Sequence, residues 1–241
     1  MAALKRIVLF VEGEGDEEAV PILVRHLLNE MKAWDALFLD PKPFRVGELG
    51  RLARHDGKEW VRFLKAAARE RRNLGGVLLL LDGDLKGFRE EQYCAKKAAQ
   101  FLSERAREAG AGILFSVATV FALQEYESWL IAGIDTLAGK KLPDGRPGVC
   151  LGATCPEGDL EVAPRGAKGW LQQHMASGYK PTVDQAPLTK LLLEDLASIR
   201  ARNMRSFRRL ESALEQLVRA IRSGKHALTP ALESAPDPPS V

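Results

Sequence analysis

Arg6-Ile7-Val8-Leu9-Phe10-Val11-Glu12-Gly13-Glu14-Gly15-Asp16-Glu17 decides how the rest of the chain is read. Its unbroken apolar run fits a strand covered on both faces, and helical periodicity begins soon after it. A carboxylate stands at the strand's end, a glycine turn follows, and more acid opens the helix. Gly76-Val77-Leu78-Leu79-Leu80-Leu81-Asp82-Gly83-Asp84 repeats the plan. Ligands of open α/β sheets gather beyond the carboxyl ends of parallel strands, and hard divalent cations take carboxylate oxygens. Two acidic strand ends therefore predict one shared metal site and metal-assisted phosphate chemistry.

The 241 residues suffice for one substantial domain with an appendage. With 46% hydrophobic and 28% charged residues, the composition is that of a soluble globular protein. No apolar run approaches the ~20 residues of a bilayer span. Met1 to Val11 does not read as a signal peptide, because it leads straight into the acidic turn. Three cysteines do not make a disulfide framework, so a cytoplasmic location is expected. A net charge of +3 does not by itself mark a nucleic-acid binder. Arg200, Arg202, Arg205, Arg208 and Arg209 do cluster near the C-terminal helix, either as a solvated face or as a phosphate-contacting patch.

The order of elements reads as strand and helix in alternation, which requires a mostly parallel sheet flanked by helices. Strands are expected at 7–11, irregularly at 36–46 with Pro41 and Pro43 at an edge, at 77–81, and at 113–123. Helices are expected after Asp16, over 59–72, over 89–110 with Tyr93, Phe101 and Leu102 facing the core, and over 125–134. This makes an α/β domain over 1–136, then a Gly/Pro-rich loop over 137–165. A helical extension over 166–226, packed on the same domain, contributes three helices near 167–175, 184–196 and 204–223. The proline-rich residues 227–241 read as a disordered tail.

The acids need weighing against simpler roles. Asp16, Glu17 and Glu18 could merely complement the helix dipole, at about 0.3–1 kcal/mol each. Glu12 is different, since an unpaired carboxylate at the end of a buried strand is costly. Gly13 and Gly15 resemble part of a dinucleotide fingerprint, but the interleaved acids would repel a pyrophosphate. Asp82 and Asp84 stand two apart, so an extended backbone turns both into one crevice, and Gly83 would leave room for a cation. In Gln124-Glu125-Tyr126-Glu127-Ser128-Trp129, Glu127 shares a helical face with Leu130, Ile131 and Ile134 and needs a partner. Cys150, Cys155 and His174 are too widely spaced for a usual zinc site. Trp60, Trp129 and Trp170 fit core packing as well as base stacking.

Glu12-Gly13 with Asp16, followed by Asp82 and Asp84 after a later strand, resembles the Toprim metal-binding signature of topoisomerases, primases and overcoming-lysogenization-defect nucleases. More narrowly, the chain resembles the Toprim-like family catalogued as domain-of-unknown-function family 4276. That resemblance rests on the opening acidic turn, Gln124 to Ile131, Gly166-Ala167-Lys168, Gly178-Tyr179-Lys180, and Ile199 to Arg202 leading to Ser206-Phe207. It implies a Toprim-like α/β fold with Mg²⁺ or Mn²⁺ held by Glu12, Asp16, Asp82 and Asp84. Glu12 would also act as acid or base, and Glu127 matches a family acid. As a hypothesis, Glu127 could orient the water, while Lys168, Arg202 and Arg205 neutralise phosphate charge. The implied activity is a Mg-dependent nuclease working with an ATPase partner in phage defence or DNA processing. The alternative is a catalytically silent regulatory or assembly subunit. Nucleic acid, DNA first, is the expected partner, with a homodimer left open. No strand-cleaving tyrosine stands in a topoisomerase context.

Overall fold

A computed structural model describes residues 3–83 and 94–231 of the chain. The fold is α/β; among the described residues the sheet has six strands, in the order β2-β1-β4-β5-β6, and β3 also pairs with β1. The strands are β1 (Lys5–Val11), β2 (Leu37–Leu39), β3 (Phe44–Arg45), β4 (Leu74–Asp82), β5 (Ser116–Ala122) and β6 (Leu228–Thr229). Every pairing is parallel.

Alternation along the central strands makes the two cores. Ile7, Leu9, Val11, Leu78, Leu80, Ala118 and Val120 face one side of the sheet. Val8, Phe10, Val77, Leu79, Leu81, Val117 and Phe121 face the other. The second side is covered by α2 (Leu49–Glu70) and α3 (Ala95–Ala106). Trp60 anchors α2 there: its ring meets Phe10 edge-on at 5.3 Å, and its Nε1 donates to the Leu102 carbonyl at 3.0 Å. Trp129 is likewise a core residue, its Nε1 donating to Ser206 Oγ at 3.0 Å.

The first side carries α1 (Glu14–Glu30), α4 (Glu127–Ala132), α5 (Ile134–Leu137), α6 (Ala167–His174), α7 (Pro181–Leu192), α8 (Leu196–Ala201) and α9 (Arg205–Ser223). Every residue of α4 is buried, Glu127 included, so the expected single apolar face becomes a helix enclosed all round. Phe207, Leu210, Leu214 and Leu217 press the stripe of α9 into the same core. Between α5 and α6 the chain has no regular helix, but Leu142, Val149, Ala153 and Leu160 pin it to the core.

Several expected boundaries move. The irregular strand over 36–46 is two short strands, both on β1, separated around Pro41 and Pro43, where no ladder donor is available. The helix expected from 89 is described only from Ala95, and residues 84–93, with Asp84 and Tyr93, lie outside the described residues. β5 starts at Ser116, because Ile113 and Leu114 occupy an exposed turn just after Gly110 and Gly112, both donating to the Gly110 carbonyl. The helix near 184–196 starts at Pro181, whose fixed φ suits a first turn, and breaks before α8. The tail expectation is corrected at its start. Leu228 and Thr229 extend the sheet beside β5, where parallel ladder bonds outweigh the nearby prolines. Residues 232–241 lie outside the described residues.

α1 and α7 cross closely at Gly15. A Cβ there would collide with Gln185 Oε1 and stand 2.7 Å from the Pro181 carbonyl oxygen. A side chain can turn aside, whereas helix backbone can only shift. Gly15→Val is therefore expected to cost about 1–3 kcal/mol through overpacking. An unchanged thermal midpoint in this variant would contradict the close crossing.

Candidate functional site

The parallel register of β1, β4 and β5 puts their carboxyl ends side by side, and their acids meet there. Glu12 Oε2 accepts from the Asp82 backbone N–H at 3.1 Å, joining positions 70 residues apart. Asp82 pairs with Ala122 at the end of β5 and continues the Leu78–Leu80 side of its strand. Its Oδ1 accepts from the Tyr126 N–H at 2.9 Å, and its Oδ2 from Lys168 Nζ at 2.9 Å. Asp16, in the first turn of α1, accepts from the Gly13 N–H at 2.9 Å and from Gln185 Nε2 at 2.7 Å. Asp16 is thus partly a capping residue, as its place at a helix start suggests, but its other oxygen faces α7.

Lys168 occupies the centre. Besides Asp82, its Nζ lies 3.2 Å from Glu125 Oε1 and 3.3 Å from Glu127 Oε2. Its backbone N–H donates to Glu125 Oε2 at 3.1 Å, so Glu125 receives the first turn of α6 as well as its amine. Glu127, 1% exposed, accepts from the Tyr179 hydroxyl at 2.9 Å through Oε1. Its Oε2 has no hydrogen-bond partner among the described residues.

Among the described residues, five carboxyl groups (Glu12, Asp16, Asp82, Glu125, Glu127) thus gather near one ammonium, which the last three contact, and the site carries excess negative charge in a poorly solvated place. Burial, with Asp82 beside it, pushes the Glu12 carboxyl up to about 7. Burial and Asp82 likewise raise Asp16 to about 6. Burial raises Glu127 to about 7 although Lys168 opposes it, and raises Asp82 for the same reason. Burial works against the charge of Lys168, but Asp82, Glu127 and Glu125 overcome it and hold the amine well above its usual range.

The donor chemistry of Glu12, Asp16 and Asp82 suits a hard divalent cation: carboxylate oxygens carrying more negative charge than the nearby Lys168 answers. Among the described residues, no three acids, histidines or cysteines already stand in a ligand arrangement around one point. The physical reason is visible: the Lys168 amine stands where Asp82, Glu125 and Glu127 converge.

Of the residues singled out from sequence, Glu12, Asp16, Asp82, Glu127 and Lys168 come together, and Asp84 lies outside the described residues. Arg202 and Arg205 stand elsewhere, paired with Asp135 and Glu161 at 3.0 Å each. Gly83 does not leave space for a cation: a Cβ there would meet Leu123 Cδ2 at 2.5 Å and the Ala122 carbonyl at 3.0 Å. It lets the end of β4 pack on β5. Glu125 was not singled out from the sequence, although Glu127, two residues on, was. Gln185 and Tyr179 were also missed as site residues; nothing around Gln185 signals it, whereas Gly178-Tyr179-Lys180 was visible as a motif. Cys150 is exposed and Cys155 half-buried, with no metal grouping among the described residues.

The raised carboxyls make a prediction about pH. A group whose folded pKa exceeds its unfolded value binds more protons when folded, so stability falls as pH rises between the two values. For Glu12 and Glu127 that window runs from 4.5 to about 7, and for Asp16 from 3.8 to about 6. Protein stripped of divalent cations should therefore lose stability in urea between pH 4.5 and 7, with a shallower slope in Glu12→Gln. Stability that rises across this window, with the same slope in the variant, would contradict the clustered charge.

No curated protein matches the chain. Among solved structures, it is similar to the C-terminal region of the Burkholderia pseudomallei OLD protein at 14% identity and a TM-score of 0.33, over 92% of this chain and 99% of that one. The family described as "Domain of unknown function (DUF4276)" matches residues 11–215, and the chain belongs to that family.

Proposed function

We propose that this protein is a divalent-cation-dependent phosphodiester hydrolase acting on nucleic acid, DNA first, together with an ATPase partner in phage defence or DNA processing. The observation that carries the reading is the meeting of acids from three strand ends around Asp82. Glu12, Asp16 and Asp82 would hold Mg²⁺ or Mn²⁺, with Asp84 as a further ligand by its place in the sequence. Such a cation supplies Lewis-acid polarisation of the phosphodiester. The ATPase and the defence role rest on the family resemblance alone.

The chain's own groups divide the remaining work. Glu12 is partly exposed at the edge of the cluster, where a carboxylate could take a proton from an attacking water. Lys168, 40% exposed at its side chain, keeps its charge firmly and can face an anionic phosphoryl group. Glu127 is too enclosed to reach water. In this reading it positions Lys168 and Tyr179 rather than orienting the nucleophile.

One observation favours the second reading, a catalytically silent subunit. The Lys168 ammonium already supplies a positive charge among three of the acids, so the cluster can hold together without catalysis.

Nicking of supercoiled plasmid in Mg²⁺ or Mn²⁺ tests the first reading. Asp82→Asn should lower the rate about 10²-fold or more, and Lys168→Met about 10²–10³-fold. Equal nicking by wild type and Asp82→Asn would remove the proposed site. Calorimetric titration separates the two readings. Mn²⁺ binding that disappears in Glu12→Ala, with no cleavage by wild type with or without an ATPase, would establish the silent subunit.

A further inference from the structure

A second cavity, of about 710 Å³, opens at the edge of β5, between α3 on one side of the sheet and the start of α9 on the other. Among the described residues, β6 pairs with β5 only at Val117 and Ala118, near the start of that strand. The start of α9, the first residues of α3 and Pro230 close the space around it.

Arg209 sets its chemistry. Arg202 and Arg205 are engaged by Asp135 and Glu161, whereas Arg209 has no carboxylate partner among the described residues. Its hydrogen bond is to an uncharged group, from Nη2 to Thr229 Oγ1 at 2.6 Å. Burial with no acid beside it lowers Arg209 from the usual arginine range. A half-buried guanidinium in that position favours an anion, and its planar fork matches a phosphate.

Two further observations narrow the anion. Thr119, 1% exposed, lines the cavity, and its Oγ1 has no hydrogen-bond partner among the described residues. Buried hydroxyls are normally paired, so this one is available to a polar ligand group. The cavity is also far larger than inorganic phosphate needs, and Phe121, Leu123 and Pro230 give it an apolar wall. A ligand with a phosphate at one end, a flat partly apolar body, and hydrogen-bonding edges satisfies all three features.

We infer that this cavity is a binding site for a nucleoside phosphate, with the phosphate on Arg209, the base or sugar against the apolar wall, and a hydrogen bond to Thr119. The ligand can be a free nucleotide or the phosphorylated end of a strand. Leu123 joins the cavity to the region of the acids, since it lines the cavity and abuts Gly83, next to Asp82. The site stands without the hydrolase reading, because binding requires neither cation nor turnover.

Fluorescence anisotropy of the full chain in EDTA tests it with two probes: a fluorescent adenosine monophosphate, and a 5′-phosphorylated, 3′-labelled oligodeoxynucleotide. At least one should bind. Arg209→Gln should weaken it roughly tenfold and Thr119→Val roughly fivefold, while the exposed neighbour Arg208→Gln stays within about twofold. Binding of both probes assigns the site to nucleotides in general, and binding of the oligonucleotide alone assigns it to strand ends. Binding of neither probe overturns the inference, as does equal loss in Arg208→Gln and Arg209→Gln. Thr119→Val removes an unpartnered hydroxyl and should keep its thermal midpoint. If Arg209→Gln fails to fold, Thr119→Val decides: undiminished binding overturns the site.

Discussion

Asp82 is where the structure is tied together. Its backbone N–H reaches the Glu12 carboxylate, one side-chain oxygen holds the start of the chain after β5, and the other holds the Lys168 amine. Four separate parts of the chain therefore meet at one half-buried aspartate. Such a group costs free energy unless its charge is answered, and a single ammonium among five carboxyls answers only part of it. The elevated carboxyl pKa values of Glu12, Asp16 and Glu127 are that imbalance made measurable. A protonated carboxyl and a bound cation are alternative ways to relieve it, and their competition is the chemistry this site offers.

The helices beyond residue 166 complete the site rather than decorate it. α6 brings Lys168, the following turn brings Tyr179 under Glu127, and α7 brings Gln185 to Asp16. The absence of a side chain at Gly15 lets α7 approach closely enough for that last bond. Because those helices share one continuous core with the sheet, displacing α7 would strip Asp16 of a partner and disturb packing together. Stability and site geometry are coupled through the same contacts.

Cationic side chains divide into two kinds that look alike in the sequence. Arg200, Arg202 and Arg205 spend their charge on Glu30, Asp135 and Glu161. Arg200 and Arg202 do so in exposed pairs that add little stability, so a cluster of arginines along a helix is weak grounds for a phosphate-binding surface. Among the described residues, Arg209 meets a threonine hydroxyl in place of an acid, beside a cavity that Arg205 also lines.

Much of the architecture was legible in order of residues. Uniform apolar runs at β1 and β4, each ended by acid, are enough to predict a parallel sheet with covered faces and a shared acidic edge, because periodicity and burial are local properties. The stripe of α9 and the start of α6 were legible for the same reason. What the sequence could not supply is pairing across distance. Gly83 read as an opening for a cation and proved to be a packing contact with Leu123; Glu125 had no assigned role and proved to hold Lys168. Strand register brought Glu12 beside Asp82, and helix packing chose Lys168 and Gln185 as their partners. Those choices depend on which surfaces become neighbours when two cores close around a sheet, and no local pattern encodes that.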